Sequence, residues 1–151
     1  VAALSSIALR YRAQDQAGRA LARWCAGQPQ IAQVLHPALP EAPGHAHWQR
    51  LCGAADARGE GAAAGLFSVL IDERYSSAQV YAFCDALKLF RLGYSWGGPV
   101  SLVVPYDLNS MRQHWPAHLK RGTLVRFSTG LESVADLQAD LAQALAAALP
   151  T

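Results

Sequence analysis

Three segments with helical periodicity are separated by two pairs of short β-forming runs along this chain, and that order allows few folds. The helical segments are residues 3–26, 76–90 and 133–149. The β-forming runs are IAQVLHP (31–37), GLFSVLI (65–71), SLVVP (101–105) and TLVRFST (123–129). The order helix, strand, strand, helix, strand, strand, helix predicts an α+β fold, in which a small, mostly antiparallel sheet has helices packed on one face.

Capping residues predict where the helices begin and end. Gly27 follows the first helical segment as a C-cap. Ser76 with Gln79, and Ser133 with Asp136, have the spacing of capping boxes at the starts of the other two.

The connecting segments have more irregular composition. Residues 38–52 begin as a proline-rich connection and can close with a short helix, and residues 53–65 are rich in small residues and predict an exposed loop. Pro37 and Pro105 are expected to end their strands. The pattern of residues 106–122 predicts irregular structure with one or two helical turns.

Length, charge and cysteine content limit the classes of function. At 151 residues the chain is long enough for one domain, and a net charge of +2 with scattered basic residues disfavours nucleic-acid binding. Residues 61–71, the longest apolar stretch, are too short for a membrane helix. Cys25, Cys52 and Cys84 form no paired motif, which predicts reduced thiols and a cytoplasmic location.

Arg126 lies in the middle of the predicted strand 123–129. The alternation of a strand places Val125 and Phe127 on one face and Arg126 on the other. A mid-strand arginine is commonly a solvated outer-face residue or the partner of a nearby carboxylate. Alternatively, its planar fork of donors can bind a carboxylate or phosphate with two parallel hydrogen bonds. Both interpretations remain open from the residues alone.

The segment YSWGGPVSLVVP (94–105) places Ser95, Trp96 and two adjacent glycines, Gly97 and Gly98, directly before a strand. Adjacent glycines indicate a sharp turn of the backbone or the close approach of another group.

No other residues form a convincing catalytic or metal site. His45 and His47 would share a face in an extended segment, but no further ligand pair accompanies them, and a zinc site needs three or four ligands. No metal site is therefore predicted. Lys88 and Lys120, the two lysines of the chain, are interpreted as surface residues.

Several motifs together resemble the C-terminal domain of the cystathionine β-lyases, within the Cys/Met-metabolism enzymes that use pyridoxal phosphate. These motifs are HPALP (36–40), the SWGG turn (95–98), and a strand with a central arginine followed by GLE (130–132) and a helix. The resemblance covers almost the whole chain. It implies the small-domain fold of the fold-type I pyridoxal phosphate enzymes.

By this resemblance, Arg126 would bind the substrate α-carboxylate, and Ser95 and Trp96 would line the same pocket. The reaction implied is cleavage of cystathionine to homocysteine, pyruvate and ammonia. Relatives that act at the γ-carbon tend to carry a leucine where Trp96 stands. Pro99 and Val100 depart from the family pattern, which usually has an acidic residue at position 100.

The resemblance also implies that the lysine forming the Schiff base with pyridoxal phosphate lies in a large domain N-terminal to this segment. Residues 1–151 are therefore expected to be a single C-terminal domain without a catalytic or cofactor-binding residue of its own. The parent enzyme would be a homotetramer with bound pyridoxal phosphate. The isolated domain is expected to bind no cofactor, to be inactive and to self-associate through apolar surface that the large domain would cover.

Two alternatives remain open at this stage. The chain could be a free-standing, non-catalytic amino-acid-binding or interaction module, which an open reading frame beginning near Val1 would support. It could also belong to a γ-acting or sulfhydrylase relative in the same family.

Overall fold

The computed structural model describes residues 4–53 and 60–151, and within these ranges there are five helices and five strands. In chain order they are α1 (Ile7–Ala26), β1 (Ile31–Leu35), α2 (His45–Cys52), β2 (Leu66–Asp72), α3 (Ser77–Ala86), β3 (Arg91–Leu92), β4 (Leu102–Tyr106), α4 (Leu108–Met111), β5 (Gly122–Ser128) and α5 (Val134–Ala148). The predicted loop 53–65 falls partly outside the described residues, as does residue 3 of the first helix predicted over 3–26; residues 4–6 form a turn, and α1 begins at Ile7.

The five strands form one sheet in the order β1-β2-β5-β4-β3. The pairs β1/β2, β2/β5 and β4/β5 are antiparallel, and only the short pair β3/β4 is parallel. The predicted α+β fold with a mostly antiparallel sheet is therefore confirmed. β5 is the middle strand, so a residue at its centre has a neighbouring strand on each side.

The hydrophobic core lies between one face of the sheet and the helices α1, α3 and α5. The sheet contributes Phe67, Val69, Ile71, Val103, Val125 and Phe127, and the helices contribute Leu21, Val80, Phe83, Leu137, Leu141 and Leu145. The ring of Phe127 stacks on Phe67 at 5.2 Å and meets Phe90 edge-on at 5.2 Å. These aromatic pairs occupy the centre of the core and add to the stabilisation from apolar burial.

α3 ends four residues earlier than its apolar periodicity predicts. Its N-terminus has the predicted capping box between Ser76 and Gln79, but the helix stops at Ala86. The backbone N–H groups of Lys88, Leu89 and Phe90 donate instead to the carboxylate of Asp140 in α5, at 2.8, 2.8 and 3.3 Å. A carboxylate that replaces the helical acceptors ends the helix there.

Two further sequence predictions are wrong in detail, and one strand was missed. Pro105 lies inside β4 rather than at its end; β3 pairs with β4 only as far as Val103, so Pro105 lies on an open edge where a missing N–H is tolerated. Ser133 makes no capping hydrogen bond despite its spacing from Asp136. β3 itself was not predicted, since a strand of two residues has no periodicity.

All three cysteines are free, and two of them are buried. Burial raises the pKa of Cys25 and of Cys84 to about 12. Both thiols are therefore protonated at neutral pH and unreactive.

His36 is fully buried at the end of β1. Its Nδ1 accepts the N–H of Ala38 at 3.2 Å, while Nε2 has no partner among the described residues. Burial, assisted by the positive charge of Arg19, lowers the pKa of His36 to about 4. The folded protein therefore contains an imidazole that resists protonation.

This low pKa predicts that the protein loses stability in mild acid. The unfolded state, with a histidine pKa of about 6.5, binds more protons than the folded state between pH 6.5 and 4, so the free energy of unfolding falls as the pH falls through that range. The expected loss between pH 7.5 and 4.5 is about 2.5 kcal/mol. In urea unfolding, His36→Gln should not show this pH-dependent loss of unfolding free energy. His118→Asn, which replaces an exposed histidine, is the control and should show the same loss as wild type. Equal pH slopes in wild type and His36→Gln would contradict the assignment.

Candidate functional site

Arg126 lies at the centre of β5, on the face of the sheet opposite the helices. Its neighbours across the two adjacent strands are Ser68 of β2 and Val104 of β4. Val125 and Phe127 point into the core, as the alternation of the strand predicts. The side chain of Arg126 is half-buried, and it extends across β4 toward the segment that follows β3.

The guanidinium of Arg126 contacts backbone carbonyls rather than a carboxylate. Its Nη2 donates to the carbonyl oxygen of Tyr94 at 2.7 Å, with the carbonyls of Ser95 and Gly93 farther away at 3.4 and 3.5 Å. No carboxylate among the described residues forms an ion pair with Arg126. Elsewhere in the described chain, Arg19 forms an ion pair with Asp15. The charge of Arg126 is thus not neutralised by an acidic side chain of the described chain.

Part of the donor capacity of Arg126 is unused. All of its hydrogen bonds to described residues come from Nη2, and Nε is buried without an acceptor among them. A guanidinium has five N–H donors in a planar fork. The arrangement therefore leaves donors with which a bound anion could pair.

The carbonyls that Arg126 contacts lead into the glycine turn that the sequence predicted. Gly97 has φ +72°, a left-handed conformation that glycine adopts without a steric penalty. A Cβ added at Gly97 or Gly98 would meet no atom within 4 Å, so no packing within the described chain requires the second glycine. Ser95 and Trp96 are exposed on this turn. The structure thus brings the three predicted site residues, Arg126, Ser95 and Trp96, to one place.

Helix α1 holds the turn from the other side, which the sequence did not predict. Nε2 of the buried Gln14 donates to the carbonyl of Gly98 at 2.7 Å, and Arg10 donates to the carbonyl of Gly97 at 3.3 Å. Thr129, just after β5, donates its hydroxyl to the carbonyl of Gln14 at 3.0 Å. The contacts span 84 or more residues of sequence, so no local pattern could have revealed them.

The exposed side chains near the turn are strongly apolar. Tyr94 is 73% exposed and Trp96 is 64% exposed, and Leu92 and Val100 are exposed beside them. Such a surface favours association with another apolar surface. Self-association of the isolated domain stays a prediction.

The two lysines do not fit a cofactor site at Arg126. Lys88 is exposed just beyond the C-terminal end of α3. Lys120 is exposed beside β1, where its N–H donates to the side chain of Gln33, and β1 is the sheet edge opposite to β3 and the glycine turn. In the part of the chain that the structure describes, neither lysine side chain forms a hydrogen bond with Arg126 or with the glycine turn.

The His45 and His47 pair is part of α2 rather than an extended segment, so the two rings do not share a face. His45 Nδ1 is 2.8 Å from the carbonyl of Pro37, and His47 Nδ1 is 3.2 Å from Arg50. Residues 4–53 and 60–151 contain no group of three or more His, Cys, Asp or Glu that could hold a metal ion. The same residues contain no helix long and apolar enough to cross a membrane.

Comparison with known proteins shows which family this chain resembles. The family model described as Cys/Met metabolism PLP-dependent enzyme matches residues 2–146. The chain is 39% identical over 146 residues to the cystathionine β-lyase of Salmonella typhimurium, and it is 33% identical over 154 residues to the cystathionine γ-lyase of Rattus norvegicus. These alignments cover 95% and 97% of this chain but only 35% of each relative.

A solved structure shares the fold as well. The O-acetylhomoserine sulfhydrylase of Wolinella succinogenes matches with a TM-score of 0.71 and 27% identity, over 94% of this chain and 36% of that protein. This chain thus spans about a third of the length of the relatives it matches. With a family model that covers nearly all of its residues and a curated relative at 39% identity, the chain belongs to the pyridoxal-phosphate-dependent enzymes of Cys/Met metabolism.

Proposed function

We propose that this chain is the C-terminal domain of a carbon–sulfur lyase that converts cystathionine and water to homocysteine, pyruvate and ammonia. The identity to cystathionine β-lyases supports the reaction class. Trp96, at a position where γ-acting relatives tend to carry leucine, supports the β-lyase branch. The role of the chain is to supply the binding site for the α-carboxylate of the amino-acid substrate.

The observation that carries this proposal is that the guanidinium of Arg126 has unused N–H donors and no carboxylate partner among the described residues. This guanidinium is half-buried and lies directly beside an exposed glycine turn. A carboxylate that accepts two parallel hydrogen bonds from this fork is fixed in position and in orientation. The same geometry would also accept other small carboxylates, so the fork alone does not select the substrate.

Fixing the carboxylate has a direct chemical consequence. Pyridoxal phosphate, when bound, supplies an electron sink for charge that develops at Cα. Arg126 holds the carboxylate so that Cα has one orientation, which lowers the entropic cost of reaching the reactive geometry. Trp96 and Ser95, on the turn beside Arg126, cover the bound carboxylate and exclude water from it. The lysine that attaches the cofactor comes from a large domain outside this chain.

A γ-acting or sulfhydrylase activity is the second candidate. The match to an O-acetylhomoserine sulfhydrylase structure and the 33% identity to a γ-lyase favour it. These relatives would use the same carboxylate site and would differ in the bond that is broken.

Steady-state assays of the full-length protein distinguish these candidates. We expect pyruvate release from cystathionine with the cofactor bound, little turnover of O-acetylhomoserine, and no activity or cofactor absorbance for residues 1–151 alone. Preferential turnover of O-acetylhomoserine would establish the second candidate. Turnover by residues 1–151 alone would contradict the proposed division of the site between two domains.

A further inference from the structure

The C-terminal end of the glycine turn is held by the segment that follows β5. The N–H of Leu131 donates to the carbonyl of Pro99 at 2.9 Å, and the N–H of Gly130 donates to Oγ of Ser101 at 2.8 Å. Ser101 is fully buried. These bonds connect residues 99–101 to residues 130–131 across about 30 positions of sequence.

Glu132 completes this connection with both carboxylate oxygens. Oε1 accepts the backbone N–H of Ser101 at 2.9 Å, and Oε2 accepts the Ser101 hydroxyl at 2.8 Å. No cation among the described residues forms an ion pair with Glu132. Hydrogen bonds to an ionised carboxylate are roughly twice as strong as neutral ones, so Glu132 makes the two strongest contacts of this segment.

Gly130 leaves the space in which this contact forms. A Cβ at Gly130 would lie 2.4 Å from Oε2 of Glu132, 2.4 Å from the carbonyl of Pro99 and 2.6 Å from the N–H nitrogen of Ser101. No side chain larger than hydrogen fits there without breaking the connection. The glycine and the glutamate of the motif Gly-Leu-Glu at 130–132 are therefore explained by their contacts with Ser101.

The turn is held at its other end by Arg126, which contacts the Tyr94 carbonyl. Ser95 and Trp96 are exposed, and they lie between the attachment at Tyr94 and the contacts that hold residues 97–101. We infer that Glu132 is a positioning residue, which fixes the end of the turn at Ser101 and so holds Ser95 and Trp96 beside the carboxylate site of Arg126. This inference rests on the proposed function.

The test removes the carboxylate and follows the turn directly. In Glu132→Ala, the Ser101 amide of this chain should exchange with solvent at least about 10-fold faster in NMR hydrogen exchange, because it loses a charged acceptor. In the full-length protein, KM for cystathionine should rise about 10-fold, with a smaller change in kcat, because ground-state and transition-state binding are weakened together. Asp136→Ala is the matched control: it removes an exposed carboxylate from the first turn of α5 and should change neither quantity.

Glu132→Gln keeps one acceptor oxygen and should give intermediate exchange, which preserves the test if the alanine variant does not fold. Unchanged Ser101 exchange in Glu132→Ala or Glu132→Gln would overturn the inference. The inference would also be overturned if full-length Glu132→Ala were active and had the same KM for cystathionine as full-length Asp136→Ala. If wild-type full-length protein shows no activity on amino-acid substrates, the proposed function fails, while the exchange data still decide whether Glu132 holds the turn.

Discussion

Replacing Arg126 with lysine is expected to lower kcat/KM of the full-length enzyme for cystathionine by about 100-fold or more. Lysine keeps the positive charge but offers a point charge in place of the planar fork, so the carboxylate keeps one charge-assisted hydrogen bond in place of two parallel ones. Losing one charge-assisted hydrogen bond and the orientation that it enforces costs about 3 kcal/mol, which corresponds to roughly 100-fold in rate. Steady-state kinetics of the purified full-length variant measure this loss.

Arg91→Lys is the matched control, since Arg91 is an exposed arginine of β3 in the same part of the sheet. It should leave kcat/KM within about twofold of wild type, as expected for a surface substitution. Circular dichroism should show both variants folded. If Arg126→Lys retained more than about a third of the wild-type kcat/KM, a two-pronged contact with the substrate carboxylate could not be the role of Arg126.

Asp140→Ala is expected to destabilise the domain by about 4 kcal/mol. Asp140 is buried, and its carboxylate accepts the N–H groups of Lys88, Leu89 and Phe90 together with the side-chain amide of Gln143. Alanine would leave three backbone donors without their acceptor at the point where the chain leaves α3, and unsatisfied buried donors cost about 1–3 kcal/mol each. Urea unfolding monitored by circular dichroism gives the free energy of unfolding.

The same measurement on Asp136→Ala, which removes an exposed carboxylate one turn earlier in α5, should show a loss of less than about 1 kcal/mol. Equal losses in the two variants would mean that the contacts of Asp140 with residues 88–90 add no stability. Residues 88–90 lead into β3 and the glycine turn, so Asp140→Ala should also increase hydrogen exchange at residues 91–98.

Much of the fold could be predicted because its signals are local. The periodicity of residues 133–149 and the alternation around Arg126 each identify an element and its buried face without reference to the rest of the chain. The capping box at Ser76 is also local, and the structure contains it. Where one face of an element is apolar, its burial follows from the sequence.

The errors arise where a distant residue changes a local outcome. The end of α3 depends on Asp140, which lies more than 50 residues away. Pro105 is tolerated in β4 because its outer neighbour β3 has already ended, which depends on sheet order. At Ser133 the spacing of a capping box is present but the hydrogen bond is not.

The residues of the candidate site also fall into those that the sequence predicted and those that depend on distant contacts. Arg126, Ser95 and Trp96 were predicted from strand alternation and from family motifs, and the structure places them together. The groups that hold the turn, Gln14 and Glu132, were not predicted, because glutamine in a helix and glutamate after a strand are usually surface residues. Their roles depend on contacts that only the folded chain creates.

A crystal structure of the full-length protein with a bound amino-acid substrate analogue would show whether Arg126 binds the α-carboxylate. We expect the two α-carboxylate oxygens to lie about 2.7–2.9 Å from two guanidinium nitrogens of Arg126, beside Ser95 and Trp96. A carboxylate bound to a different cation, with Arg126 still contacting only the carbonyls of residues 93–95, would contradict this expectation.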